Sequence, residues 1–316
     1  MRMHNNRKIV IIVGPTAVGK TFYSLRVAEI LKGEIVSADS MQIYKYMDIG
    51  SAKPKKDELS RVKHYLVDEV DPRLPWSVVD YQNRAKKYIE EIFKRDKLPI
   101  VSGGTGLYVN SLLYEMDFSN AKQTDLRKKL EEEALIHGNQ RIYDKLKRLD
   151  PDAARRIHPN NLKRVIRAIE VYETTGRGVP EFSESFKKTD DYECILIGLK
   201  RDRQVLYNRI NMRVDQLIDS GLVEEVKQLM DMGLTEENIS MKGIGYKEII
   251  GYLNKEYSIE EAIRLIKRNT RRYAKRQMTW FKRYKDIKWF DLCSLEDEGG
   301  GAVESIVNYL NSELSY

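Results

Sequence analysis

Cysteine and long apolar runs are the two features that this sequence has least of. Its 316 residues include two cysteines, Cys194 and Cys293, which lie far apart. No second cysteine pair is present for a structural zinc site, and a disulfide framework needs several cysteine pairs, so we expect neither. No stretch approaches the ~20 apolar residues of a membrane span, and residues 1–7 are too polar for a secretory signal. We expect a cytoplasmic protein with no membrane partner.

Acidic residues are missing from one long segment. Residues 264–285 contain no aspartate or glutamate, and their ten basic residues exceed the +7 net charge of the whole chain. The ten are Arg264, Lys267, Arg268, Arg271, Arg272, Lys275, Arg276, Lys282, Arg283 and Lys285. Positive charge that is gathered on one segment predicts a polyanionic partner.

A phosphate-binding loop follows the first apolar run. Residues 14–21 read Gly-Pro-Thr-Ala-Val-Gly-Lys-Thr, which fits the pattern G-x-x-x-x-G-K-[ST]. The run before it is typical of a buried strand, and residues 21–31 have helical spacing. This context makes a nest of backbone N–H groups for an anion. We expect a di- or triphosphate bound by Gly14, Thr16, Ala17, Val18, Gly19, Lys20 and Thr21, with Mg²⁺ at the Thr21 hydroxyl.

Helical segments separate the strand candidates, which indicates an α/β fold with a P-loop-type, mostly parallel sheet flanked by helices. The candidates rich in Ile and Val are residues 9–13, 34–38, 98–102, 194–199 and 287–290. Residues 119–188 lack strand signals and read as a helical insertion, with helices expected at 126–135, 140–149 and 160–174. The core domain would then comprise residues 1–118 and 189–316. Residues 294–302 are expected to form a turn before a last helix.

Polar residues follow the second and third predicted strands. Ligands of open α/β sheets gather at the carboxyl ends of the strands, which brings Asp39 near the phosphate loop. Its carboxylate can hold Mg²⁺ through water, accept a proton from a substrate, or cap the next helix. Thr105, after two glycines, either faces a ligand or caps a helix. Arg209 and Arg213, one helical turn apart, either share an anion or lie on a solvated face.

The basic segment also carries an aromatic stripe. On a helix, Tyr273, Gln277, Trp280 and Tyr284 share one face, for which a core position is the ordinary interpretation of Tyr273 and Trp280. Arg268, Arg272, Lys275 and Lys282 share another face, which favours contact with a phosphate backbone. A second basic cluster lies in the insertion at Arg155, Arg156, Lys163, Arg164 and Arg167.

Taken together, the motifs resemble the bacterial tRNA dimethylallyltransferases (tRNA isopentenyltransferases). The matching runs are residues 14–21, 37–44, 47–54, 64–68, 103–108, 163–167, 242–247 and 275–280, in the order of that family. Ser51 replaces a frequent threonine and Tyr65 a frequent second histidine, so we give residues 64–65 no chemical role. The eukaryotic relatives carry a C-terminal zinc finger, and the lack of a Cys/His set here indicates the bacterial type.

The resemblance implies transfer of a dimethylallyl group from dimethylallyl diphosphate to the exocyclic N6 amine of the adenosine 3′-adjacent to the anticodon of tRNA. By resemblance Asp39 accepts the amine proton, Thr105 lies beside the reacting groups, and Arg213 faces the diphosphate. Contacts to the anticodon stem-loop are implied for Asp39, Ser40, Met41, Gln42, Thr105, Arg127, Lys163, Arg164, Val165, Ile166, Arg167, Lys242, Gly243, Ile244, Gly245, Tyr246, Lys247, Lys275, Arg276, Gln277, Trp280 and Lys282. We expect Mg²⁺ as cofactor and a monomer.

Three other functions share part of these features. A small-molecule kinase accounts for the phosphate loop, the carboxylate and the arginine pair, but leaves the basic segment unexplained. A nucleotide-gated RNA-binding protein accounts for the charge and gives Asp39 and Thr105 no task. Prenyl transfer to a free adenine nucleotide gives no reason for an extended basic helix.

Overall fold

The computed structural model describes residues 7–116, 125–178, 187–294 and 301–315. They form two compact units, Met1–Tyr114 with Thr189–Tyr316, and Glu115–Lys188. The elements are β1 (Lys8–Val13), α1 (Lys20–Ile30), β2 (Gly33–Ser37), α2 (Lys56–Arg61), β3 (His64–Tyr65), α3 (Val78–Phe93), β4 (Leu98–Gly103), α4 (Gly106–Leu113), α5 (Asp125–His137), α6 (Asn139–Leu149), α7 (Pro151–Arg156), α8 (Leu162–Thr175), β5 (Glu193–Lys200), α9 (Arg203–Asp219), α10 (Leu222–Asp231), α11 (Tyr246–Leu253), α12 (Ile259–Phe281), β6 (Lys288–Asp291) and α13 (Gly301–Leu314).

The strands of the first unit form one sheet in the order β3-β2-β4-β1-β5-β6. All of its described pairings are parallel, which confirms the predicted α/β fold. The five predicted strands are present. The pattern missed β3, which is two residues long, polar at His64 and without an apolar run.

The register brings three strand ends to the same edge of the sheet. Val13 of β1 is opposite Gly103 of β4, and Ser37 of β2 is opposite Ser102. The loops that follow β1, β2 and β4 therefore leave the sheet side by side. The β1 residues are all buried, because helices cover both faces of a parallel sheet.

The second unit consists of α5 to α8 around a small apolar core. Leu130, Ile142, Leu146, Val165 and Ile169 are buried in it. The three helices expected here correspond to α5, α6 and α8, and Gly176 ends α8 with a φ of 65°. Parts of two predictions, at residues 119–124 and 179–186 of the insertion and 295–300 of the turn, lie outside the described residues.

None of the described helices has the length and apolar character that a membrane span requires.

A buried carboxylate holds the β2–β3 edge of the sheet. Glu34 accepts hydrogen bonds from the Tyr65 hydroxyl at 2.7 Å and from Arg95 at 2.8 Å, and Lys97 lies 3.0 Å from its other oxygen. Burial acts to raise the pKa of Glu34, but these hydrogen bonds outweigh it and hold the pKa below the ordinary 4.5. The carboxylate is therefore stabilised in its charged form.

We expect Glu34→Gln to lower the free energy of unfolding by about 1–2 kcal/mol near neutral pH, because Arg95 and Lys97 lose their anionic partner. Because the folded chain lowers the pKa of Glu34, its stabilisation is complete above the unfolded pKa and is lost as the pH falls through the folded pKa. Urea unfolding should show the difference between wild type and variant shrinking as the pH falls from about 5 to about 3.

The matched control is Glu236→Gln, at an exposed position. This variant should unfold like the wild type across the range. A Glu34→Gln difference that did not change with pH would contradict a role for the charge.

Candidate active site

The phosphate loop connects β1 to α1 and is held from outside by arginines. Gly19 has a φ of 115° and Ala17 a φ of 63°, both in the left-handed region. Arg209 donates to the Ala17 carbonyl at 3.0 Å, and Arg201 donates to the Val18 carbonyl at 3.0 Å. These bonds fix the carbonyl side of the loop, which a nest needs if its N–H groups are to converge on an anion.

Lys20 folds back onto its own loop. Its ammonium donates to the carbonyls of Gly14 at 3.0 Å and Pro15 at 2.9 Å. Burial lowers the pKa of Lys20 to about 8; attraction to Asp39 opposes this shift, and repulsion by Arg213 adds to it. A bound anion would relieve the cost of holding these cations together, so the loop is suited to a phosphate.

Asp39 and Thr105 lie on two loops that are bonded to each other. Asp39 accepts a hydrogen bond from the Met41 N–H at 2.9 Å, which fixes one carboxylate oxygen. The Thr105 hydroxyl accepts from the Ser40 N–H at 3.1 Å, and the Thr105 N–H donates to the Ala38 carbonyl at 3.0 Å. Thr105 occupies the position before α4, but its side chain makes no capping bond there. Its hydroxyl instead joins the loop that carries Asp39.

A cleft of about 1010 Å³ collects most of the candidate residues of the first unit. This volume is at the upper end of the range for small-molecule sites, about 300–1,000 Å³. The candidates that line it are Thr16, Ala17, Gly19, Lys20, Thr21, Asp39, Ser40, Met41, Gln42, Arg213, Lys242, Gly243, Ile244, Gly245, Lys247, Arg276 and Gln277, with Arg209 and Tyr273. Burial lowers the pKa of the Arg213 guanidinium, and attraction to Asp39 opposes the shift. The cleft therefore combines several cations with two carboxylates, Asp39 beside Lys20 and Arg213, and Glu58.

Thr21 and Asp39 also line a smaller cavity of about 40 Å³. Ser37, His64 and Ser102 lie in the same wall. Mg²⁺ takes hydroxyl and carboxylate oxygens and usually keeps several waters, so these residues fit a hydrated Mg²⁺. In the described part of the chain, no cluster of three histidine, cysteine or acidic side chains could hold a metal.

Glu225 is a site residue that the sequence pattern did not reveal. From α10 it accepts the N–H groups of Asp48 and Ile49, both at 2.7 Å, and of Gly50 at 3.0 Å. Tyr246 donates to the same carboxylate at 2.9 Å. Because Gly50 lines the cleft, this buried carboxylate holds part of the cleft wall in place.

The basic segment presents some candidates outward and others inward. Lys275, Arg276 and Lys282 are exposed, and Gln277 is buried. Trp280 is half-buried, and its indole N–H donates to the Tyr284 hydroxyl at 3.2 Å. The indole lies so close to Gly106 that a Cβ there would be 2.3 Å from Nε1. The exposed cations are therefore available to a partner, whereas Gln277 contacts the protein.

Residues 242–247 also include both exposed and buried side chains. Lys242 and Lys247 are exposed, Tyr246 is fully buried, and Gly243 lies against the Met41 side chain. Lys242 and Lys247 are thus the charged members of this run that solvent can reach.

In the second unit, Lys163 and Arg164 are exposed, and Val165 and Ile166 are buried in the apolar core. Arg127 is ion-paired with Glu170 at 2.6 Å, so it also contributes to the structure of that unit.

A parallel α/β sheet whose phosphate loop opens into a cleft with a carboxylate defines a P-loop protein built around a phosphorylated ligand. The family model described as IPP transferase matches residues 42–284. The chain belongs to this IPP transferase family.

Similar proteins share most of the length of the chain. The tRNA dimethylallyltransferase of Clostridioides difficile is 56% identical over 290 residues, 92% of this chain and 93% of the relative. That of Alkaliphilus oremlandii is 55% identical over 291 residues, 92% of this chain and 93% of the relative.

Solved structures agree with this. The full-length tRNA isopentenylpyrophosphate transferase of Bacillus halodurans has a TM-score of 0.74 at 43% identity, covering 98% of this chain and 97% of that one. A eukaryotic dimethylallyltransferase acting on tRNA has a TM-score of 0.84 at 29% identity, covering 98% of this chain and 80% of that one.

The Lys20 ammonium should make pyrophosphate binding depend on pH. The free protein carries this charge below the Lys20 pKa of about 8. Affinity for inorganic pyrophosphate, measured by calorimetry, should therefore fall as the pH rises through that value relative to a Lys20→Arg variant, whose charge persists. Lys20→Ala should lose ~10-fold or more in affinity at any pH below it.

The Lys20→Arg comparison removes the effect of the ionisation of pyrophosphate itself. If wild type and Lys20→Arg showed parallel pH profiles, Lys20 would not be the group that contacts the anion.

Proposed function

We propose that this chain is a tRNA dimethylallyltransferase. It transfers the dimethylallyl group of dimethylallyl diphosphate to the N6 amine of the adenosine 3′-adjacent to the anticodon, and diphosphate is released. The observation that supports this most directly is one cleft lined by the phosphate loop, Arg213 and Asp39 in a member of the IPP transferase family. Relatives about half identical over nearly the whole chain are named tRNA dimethylallyltransferases.

The cations of the cleft hold the leaving diphosphate. The phosphate-loop N–H groups, Lys20 and Arg213 surround the charge that develops as the allylic C–O bond breaks. Mg²⁺ held at Thr21, with help from Asp39 through water, would neutralise part of that charge. Because Arg201 and Arg209 hold the phosphate loop before the substrate binds, its N–H groups need little reorganisation during the reaction.

Asp39 accepts the proton of the nucleophile. The adenine amine donates its lone pair to the allylic carbon, a C–N bond forms, the C–O bond to the diphosphate breaks, and the amine proton passes to the Asp39 carboxylate. A hydrogen bond from the Met41 N–H orients the Asp39 carboxylate. Thr105 is joined to the same loop, because its hydroxyl accepts a hydrogen bond from the Ser40 N–H. A general base of this kind is worth about 10²–10⁴-fold in rate.

The RNA partner is the anticodon stem-loop. Its target base leaves the stack to enter the cleft, as bases do in enzymes that modify them. The exposed cations of the basic segment, with Lys242, Lys247, Lys163 and Arg164, bind the phosphate backbone. We propose that the enzyme is a cytoplasmic monomer.

The basic segment argues against the kinase alternative. A small-molecule kinase accounts for the phosphate loop and the Asp39 carboxylate, but it gives the exposed cations of α12 no partner. A free nucleotide acceptor would leave the exposed cations of α12 without a partner.

Mass analysis of anticodon stem-loops incubated with enzyme, Mg²⁺ and dimethylallyl diphosphate tests the function directly. We expect one added dimethylallyl group on the adenosine that follows the anticodon. An Asp39→Ala variant should still bind the RNA and turn over ~10²-fold or more slowly.

A stem-loop whose target adenosine is replaced by guanosine serves as control and should gain no mass. Label transferred from γ-labelled ATP to an acceptor without any prenyl donor would favour the kinase instead. Unchanged turnover of Asp39→Ala would remove Asp39 from the mechanism.

Neutralising the exposed face of the basic segment should weaken RNA binding. Replacing Arg272, Lys275 and Lys282 by glutamine should lower stem-loop affinity and reduce the salt slope of the binding constant by about 2–3, one for each lost phosphate contact. Filter binding over a range of salt concentrations measures the slope.

The control variant replaces three exposed lysines by glutamine. They are Lys87 in α3, Lys94 directly after α3, and Lys227 in α10. This variant carries the same change in net charge and should keep the wild-type slope. An equal loss in both variants would show that only the overall charge matters.

A further inference from the structure

One buried side chain of α12 connects two loops of the active site. Gln277 is 5% exposed, and its amide oxygen accepts the Thr16 N–H of the phosphate loop at 2.9 Å. Its amide nitrogen donates to the Gly104 carbonyl at 2.9 Å. A single planar amide therefore joins the loop that follows β1 to the loop that follows β4.

The surroundings of Gln277 leave little freedom in this arrangement. A Cβ at Gly104 would lie 2.2 Å from the Gln277 amide nitrogen, so only glycine allows the approach. Tyr273, one helical turn earlier, has its hydroxyl near the side chains of both Thr105 and Gln277. The position of Thr105 is therefore linked to the phosphate loop through α12.

We propose that Gln277 is a positioning residue for the transfer reaction, which sets the distance between the diphosphate loop and the Thr105 loop. The inference rests on the proposed function. Gln277 acts through Thr16 and Gly104 rather than by contact with RNA, because both ends of its amide are engaged by backbone groups within the protein. Its neighbours Lys275 and Arg276 are exposed. The same turn of α12 therefore presents charged side chains to the RNA on its outer side and connects the two loops on its inner side.

A wrong distance between the two loops affects the rate more than binding. The diphosphate and the amine must come within reacting distance, and a displacement of about 1 Å far from the chemistry can cost ~10²-fold. Loss of the amide also leaves the Thr16 N–H and the Gly104 carbonyl unpaired. The diphosphate loop is then less well ordered before the substrate arrives.

The test compares Gln277→Met, which keeps the length and removes both polar contacts, with Gln277→Glu, which keeps an acceptor for Thr16. Gln228→Met, at an exposed position of α10, is the matched control. We expect kcat to fall ~10–100-fold in Gln277→Met while the stem-loop Kd changes less than about twofold. Protection of the fold by inorganic pyrophosphate in thermal unfolding should also shrink.

Gln277→Glu gives a second readout. A protonated carboxyl can donate to the Gly104 carbonyl and an ionised one cannot, so the ratio of variant to wild-type kcat should rise as the pH falls. This variant keeps the inference testable if Gln277→Met does not fold.

A tenfold rise in stem-loop Kd with an unchanged kcat would show that Gln277 contacts RNA and would overturn the inference. Wild-type kinetics in both variants would overturn it as well. A wild-type enzyme that alkylates no stem-loop would count against the proposed function instead, and pyrophosphate protection would still report whether Gln277 orders the phosphate loop.

Discussion

The close approach of the loop after β4 to the loop after β2 is the constraint on which the rest of the site depends. A Cβ at Gly103 would lie 2.2 Å from the Ala38 carbonyl oxygen, so the backbones can meet there only because this residue is glycine. Two hydrogen bonds from this contact, Thr105 N–H to Ala38 and Ser40 N–H to Thr105, then fix the residues on either side. The carboxylate and the hydroxyl of the site share one rigid frame for this reason.

Charged side chains of opposite sign lie close together in this site. Lys20 and Arg213 are held near Asp39 in a partly buried cleft, where burial acts to lower the pKa of each cation and the carboxylate opposes the shift. Such an arrangement is costly without a ligand and favourable with one, because an anion replaces the solvation that the cations lack. The exposed basic residues of α12, such as Arg272, Lys275 and Arg276, are different in kind: they are solvated, and their effect on a polyanion depends on salt.

Local patterns were sufficient for much of the fold. Apolar runs located five strands, and the octet at residues 14–21 located the phosphate loop, since both signals lie within a few consecutive residues. The position of Asp39 was predicted because the ends of parallel strands meet at one edge. β3 was missed because a two-residue edge strand with a histidine has no periodic pattern.

What the sequence could not reveal are contacts between distant parts of the chain. In the sequence, Gln277 is one more polar residue of a basic helix. Its hydrogen-bond partners Thr16 and Gly104 lie far away along the chain, so no local pattern could indicate them. The resemblance suggested RNA contact for it, and the buried amide leads us to propose a different role. Glu225 likewise looks like an ordinary acidic residue of an amphipathic helix.

The Glu225 carboxylate has a consequence for how the cleft wall opens. Residues 48–50 lie outside the strands and helices, yet their backbone N–H groups donate hydrogen bonds to the buried Glu225 carboxylate on α10. Exchange of these hydrogens with solvent requires separation of the loop from that helix, so this irregular segment has the opening free energy of the helical packing behind it rather than that of a surface loop. The cleft wall is thus harder to open than its lack of secondary structure suggests.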